Sequence, residues 1–128
     1  MSKSAIITGA LLGAIAVITG AFGAHGLKAI LTTTQLETWH TAVQYHFYHV
    51  FAILFLSTFK NKESKLIFAS YWLFLLGIVF FCGSLYLLSC IQVLGWPWLR
   101  IMGPITPVGG LLFIAGWITL AIAAVKER

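Results

Sequence analysis

Apolar residues run almost unbroken over four stretches, about 5–24, 42–59, 66–93 and 107–125, and polar, charged, glycine and proline residues collect between them. About 20 apolar residues in a helix match the hydrocarbon thickness of a bilayer. The pattern predicts an all-α membrane protein: one domain, 1–128, built as a bundle of four transmembrane helices.

Within the first stretch, Gly9, Gly13, Ala16, Gly20 and Gly23 recur at helical spacing. Such a stripe lets a second helix approach closely in lipid. Lys3, the apolar run and Ala21-Phe22-Gly23-Ala24 also fit a secretory signal with a cleavage site, but a discarded peptide has no need of an organised stripe. The segment from Gly26 to Thr33 reads as a short interfacial helix or turn. Thr34-Gln35-Leu36-Glu37 fits a capping box that starts the second helix ahead of its apolar part, and Trp39 sits where an interfacial anchor belongs. Ser64 is placed to cap the third helix, in which Ser70, Gly77 and Ser84 repeat every seven residues. Pro104 and Pro107 bound the last helix, with Thr106 as its cap, Pro107 in its first position, and Gly109 and Gly116 on its close-packing face.

Composition agrees with lipid as the solvent. Apolar residues make up 60%, charged residues 9%, and the mean hydropathy is +0.98. An ordinary soluble domain is nearer a quarter charged. The net charge of +5 does not indicate nucleic acid, because the charges gather at the ends of the spans rather than along one face. Lys3, Lys60, Lys62, Lys65, Lys126 and Arg128 fall on one side, Lys28 and Arg100 on the other, so the positive-inside rule places both termini in the cytoplasm. Cys82 and Cys90 share one apolar run about 12 Å apart and read as packing thiols.

Ionisable side chains within a span occur only in the second helix. Counting inward from His40, His46 lies about 9 Å deep and His49 about 13 Å. Intramembrane ionisable groups are costly and often functional. Thr19 and Ser84 fall at a similar depth, which predicts an outer-half polar layer of Thr19, Tyr45, His46, His49 and Ser84, with Tyr86 and His25 above it. Neutral histidines bonded to Ser84, Tyr86 or a carbonyl would hold helices in register; the same groups could also serve a ligand or a proton. A haem would want histidines from facing helices and a metal would want further ligands nearby, so no metal, cofactor or catalytic residue is predicted. Ser84 with His49 is a weak Ser–His match. The run Gly103 to Gly110 reads as a tight turn with close helix contact.

Gly20-Ala21-Phe22-Gly23-Ala24-His25-Gly26-Leu27, Tyr45 with Tyr48-His49, Gly83-Ser84-Leu85-Tyr86, and Ile105-Thr106-Pro107-Val108-Gly109-Gly110 with Gly116-Trp117 together resemble the YgdD-like family. These are small uncharacterised bacterial multi-pass membrane proteins, related to the eukaryotic transmembrane protein 256 group. The resemblance covers nearly the whole chain. It implies a bacterial plasma-membrane protein and carries over His25, Tyr48, His49, Ser84, Tyr86, Thr106 and Pro107, while His40 and His46 fall outside the pattern. The expected function is a non-enzymatic membrane protein acting through a membrane-protein partner, a second copy of itself or a small ligand at the polar cluster, in contact with the lipid bilayer and not with nucleic acid. The alternative is a small transporter, or a proton- or cofactor-handling protein, using His49.

Overall fold

The computed structural model describes residues 2–61 and 63–126, and every long element in it is a helix. Lys62, Glu127 and Arg128, three of the residues behind the charge pattern, lie outside the described residues. Helix α1 spans Ser2–Ala24 and α2 spans Thr33–Leu56. Helix α3 (Lys65–Gly77), a π-helical turn (Ile78–Cys82) and α4 (Gly83–Ser89) run on as a single rod. A one-turn helix α5 (Ile91–Leu94), a 3-10 helix (Pro97–Ile101) and α6 (Met102–Lys126) complete the chain.

Three segments are long and apolar enough to cross a membrane: α1, the Lys65–Ser89 rod, and Pro97–Lys126, each with a mean hydropathy of 2.2 in its most apolar window. Helix α2 has 24 residues but a more polar sequence. It lies at the centre of the bundle, packing against α1 on one side and the rod on the other, while α6 packs along the rod.

The small-residue stripe of α1 faces α2. A Cβ built on Gly9 would stand 2.6 Å from Leu54, one on Gly13 3.4 Å from Val50, one on Gly20 3.5 Å from Val43 and one on Gly23 2.7 Å from Trp39. The partners descend as the glycines ascend, the signature of antiparallel helices in close register. The rod and α6 meet the same way. Gly77 packs under Phe113, Gly116 under Phe74 and Gly109 against the backbone of Phe81, and Ser70 Oγ donates to the Gly116 carbonyl at 3.3 Å.

Element ends differ from the sequence expectation in three places. The capping box that forms is Thr32 with Gln35, not Thr34 with Glu37: Gln35 N–H donates to Thr32 Oγ1 at 3.2 Å and Thr32 N–H to Gln35 Oε1 at 3.0 Å. The earlier box prevails because it adds two more residues to the helix, directly after Leu31, which is buried. Ser64 does cap α3, accepting from Ile67 N–H at 3.1 Å. The third helix stops at Ser89 rather than near 93; Cys90 leaves helical geometry and Gly95, in the left-handed region at φ 68°, closes the short turn beyond. The last helix begins at Met102, so Thr106 is not its cap and Pro107 lies inside it. Pro104 falls in the first turn, where amides have no intrahelical acceptor, whereas Pro107 leaves the Gly103 carbonyl without its usual i+4 donor; Thr106 Oγ1 lies 3.3 Å from the Met102 carbonyl.

Candidate functional site

His49 is the best-defined polar group in the interior. Helix α2 turns it inward, where it is buried. Its Nδ1 lies 2.7 Å from the Tyr45 carbonyl, one turn earlier, and its Nε2 lies 3.0 Å from Trp117 Nε1 on α6. A carbonyl only accepts and an indole N–H only donates, so the proton sits on Nδ1 and Nε2 accepts. Both ring nitrogens of a neutral imidazole are thereby satisfied. The ring also stacks on Phe113, with centroids 3.5 Å apart and planes at 8°. A groove of about 740 Å³ opens beside it between α2 and α6, lined by Tyr45, Tyr48, Phe51, Phe81, Gly110, Phe113, Ile114 and Trp117 as well as His49. Among the described residues the hydroxyls of Tyr45 and Tyr48 make no hydrogen bond, so this aromatic trough offers two uncommitted polar groups.

The chain is similar to proteins known only by family. A family model described as "Protein of unknown function (DUF423)" matches residues 19–110. UPF0382 membrane protein SH2409 of Staphylococcus haemolyticus is 44% identical over 124 residues, covering 97% of each chain. UPF0382 membrane protein YwdK of Bacillus subtilis is 44% identical over 126 residues, covering 97% of this chain and 98% of its own. The chain belongs to this family of bacterial membrane proteins of unknown function. No solved structure matches it.

The family model spans Thr19, His25, His49, Ser84, Tyr86 and Thr106 but ends before Phe113 and Trp117, which hold the His49 ring. The site residues expected from sequence do not share one hydrogen-bond network among the described residues. His49 bonds to α6, not to the first or third helix. Ser84 Oγ lies 2.9 Å from the Phe81 carbonyl and pairs with Thr106 Oγ1 at 2.6 Å, tying α4 to α6. Tyr86 belongs to a second network, on α1: its hydroxyl lies 3.0 Å from Thr19 Oγ1 and 2.9 Å from His46 Nδ1. His25 is exposed in a separate shallow depression with Ile18 and Phe22, at the end of α1. Tyr48 is exposed at the rim of the groove, 5.7 Å from the Tyr45 ring.

His46, outside the YgdD-like family pattern, is as fully buried as Ser84, at 2% exposure. The Tyr86 hydroxyl lies between Thr19 Oγ1, which itself stands 3.1 Å from the Ala16 carbonyl, and His46 Nδ1. His46 Nε2 is buried and makes no close hydrogen bond among the described residues, with the Leu12 carbonyl the backbone group that faces the ring. Trp39, expected at the interface, is also buried here; its indole donates to the Thr19 carbonyl at 2.8 Å and its ring lies 4.6 Å from Tyr86. Sequence reasoning missed Trp117 as a partner for His49. The available signal was an indole N–H deep in an apolar helix, a donor that lipid cannot satisfy.

Proposed function

We propose that the chain is a four-span plasma-membrane protein, with both termini in the cytoplasm, that takes a membrane-dissolved amphiphile into the groove between α2 and α6 without catalysing a reaction on it. The observation that carries this reading is the groove itself: about 740 Å³, walled by aromatic rings, with Tyr45 and Tyr48 hydroxyls uncommitted. Ligand sites are mostly apolar concavities with a few polar groups that set orientation. A ligand with a hydrocarbon chain and a hydrogen-bonding head suits that lining.

The fourth span is α2. Its polar side chains are no obstacle to crossing, because His46 and His49 are covered by neighbouring helices rather than by lipid. The placement of lysine and arginine supports cytoplasmic termini. The motif resemblance to the YgdD-like family and the transmembrane protein 256 group supports a membrane role of the same kind. A proton-handling role through His49 is the weaker reading, since a proton added at Nε2 would face the Trp117 N–H donor-to-donor.

Gly110 supplies the test. A Cβ there would meet Phe81 at 3.9 Å, an ordinary contact, so a larger side chain fills the groove without prising α6 from the rod. Wild-type protein purified from bacterial membranes should retain a small amphiphile, detected by mass spectrometry, that Gly110→Leu protein lacks. Equal retention by the two would overturn the groove as a binding site.

A further inference from the structure

The loop end of the bundle, where the turn after α1 meets the segment after α4, carries a further concavity. It holds about 260 Å³ and is lined by Ile91, Gln92, Gly95, Pro97 and Arg100. It belongs to different elements from the aromatic groove.

Its polar groups are oriented by a chain that starts at the capping box. Thr32 N–H can only donate, so it fixes the Gln35 side-chain oxygen toward itself at 3.0 Å. That leaves the Gln35 amide nitrogen to donate to Gln92 Oε1, at 3.0 Å. Gln92 therefore has its acceptor occupied and its own NH₂ group uncommitted, on a residue that lines the same concavity as the Arg100 guanidinium. Among the described residues Arg100 has no carboxylate partner, Glu37 at this end of the bundle included. Every uncommitted side-chain polar group lining the concavity is thus a donor, and one of them is a permanent cation.

The surroundings select the source of the anion. Trp96 and Trp98 stack with centroids 6.0 Å apart and are 49% and 62% exposed. Val93 and Ile101 are exposed beside them. Exposed tryptophans with apolar neighbours at the end of a span lie at the level of lipid headgroups, and guanidinium binds phosphate through paired N–H donors. We infer that the concavity at Gln92 and Arg100 binds the phosphate of a phospholipid headgroup, with the Trp96–Trp98 pair embedded beside it.

The test uses the full chain in detergent, titrated with dioleoylphosphatidylglycerol and followed by native mass spectrometry. One lipid should bind more tightly than the rest. Arg100→Gln should weaken that site about tenfold, corresponding to about 1.4 kcal/mol, and Gln92→Leu should weaken it several-fold. Arg100→Lys, which keeps the charge but not the fork, should fall between. Gly110→Leu should leave it unchanged, which separates this site from the groove. Unaltered binding in both Arg100→Gln and Gln92→Leu would overturn the assignment. Inorganic phosphate that displaced the lipid at equal concentration would assign the site to a free anion and overturn the lipid.

Discussion

Trp117 donates its indole N–H to His49 Nε2 at 3.0 Å, although the two residues are separated by 68 positions and lie on helices whose backbones stand apart across the groove. With Nδ1 bonded to the Tyr45 carbonyl, the imidazole bridges α2 to α6 as a neutral group. Trp117→Phe keeps a ring in place but removes the donor, leaving a buried lone pair. Stability in detergent should fall by about 1–3 kcal/mol. Adding His49→Phe should recover part of the loss, because both polar partners are then gone. A Trp117→Phe protein with wild-type stability in a denaturant titration would show that the bridge contributes nothing.

The glycines of α1 should not be equivalent. Gly9 and Gly23 leave a Cβ only 2.6 and 2.7 Å from Leu54 and Trp39, whereas Gly13 and Gly20 leave 3.4 and 3.5 Å. Alanine at Gly13 or Gly20 asks for little movement. Alanine at Gly23 must push Trp39 away from its bond to the Thr19 carbonyl. Melting temperatures in detergent should therefore drop more for Gly23→Ala than for Gly20→Ala, and the reverse order would place the seam elsewhere.

Reporter fusions check the orientation. A fusion after Lys62 and one at Arg128 should read cytoplasmic, while one near Trp98 should read external, as the distribution of basic residues requires. A cytoplasmic reading at Trp98 would overturn the four-span topology and would move the proposed headgroup site to the inner leaflet.

The helices and seams were legible because their signals are local. A glycine stripe in an apolar run names its own face, and Ser64 needs only the residues that follow it to act as a cap. Position along the chain said less about Thr106, since Pro104 and Pro107 suit both a helix start and its first turns, and the 3-10 helix Pro97–Ile101 feeds α6 from further back. The π-helical turn has no marker in Ile78–Cys82, and Phe81 within it sets its backbone against Gly109. The candidate site was least legible. Depth placed His46, His49, Ser84 and Tyr86 in one layer, but a layer does not say which helices adjoin. Helix order around the bundle divides it into His49 with Trp117, Ser84 with Thr106, and Tyr86 with Thr19 and His46.

Tyr86 is the residue on which that last network depends. Its hydroxyl joins α1, α2 and α4, lying 3.0 Å from Thr19 Oγ1 and 2.9 Å from His46 Nδ1. Tyr86→Phe leaves His46 Nδ1 buried without its hydrogen-bond partner. The expected loss is about 1–3 kcal/mol. Ser84→Ala should cost less, because the Thr106 hydroxyl is then free to turn to the Met102 carbonyl 3.3 Å away. The double variant His46→Leu with Tyr86→Phe discriminates further. If the loss in Tyr86→Phe comes from a stranded imidazole, removing the imidazole as well should make the double variant more stable than Tyr86→Phe alone. Denaturant titrations of the four proteins give the coupling directly. A double variant whose loss equals the sum of the two single losses would mean that Tyr86 and His46 act independently, and the network reading would fall.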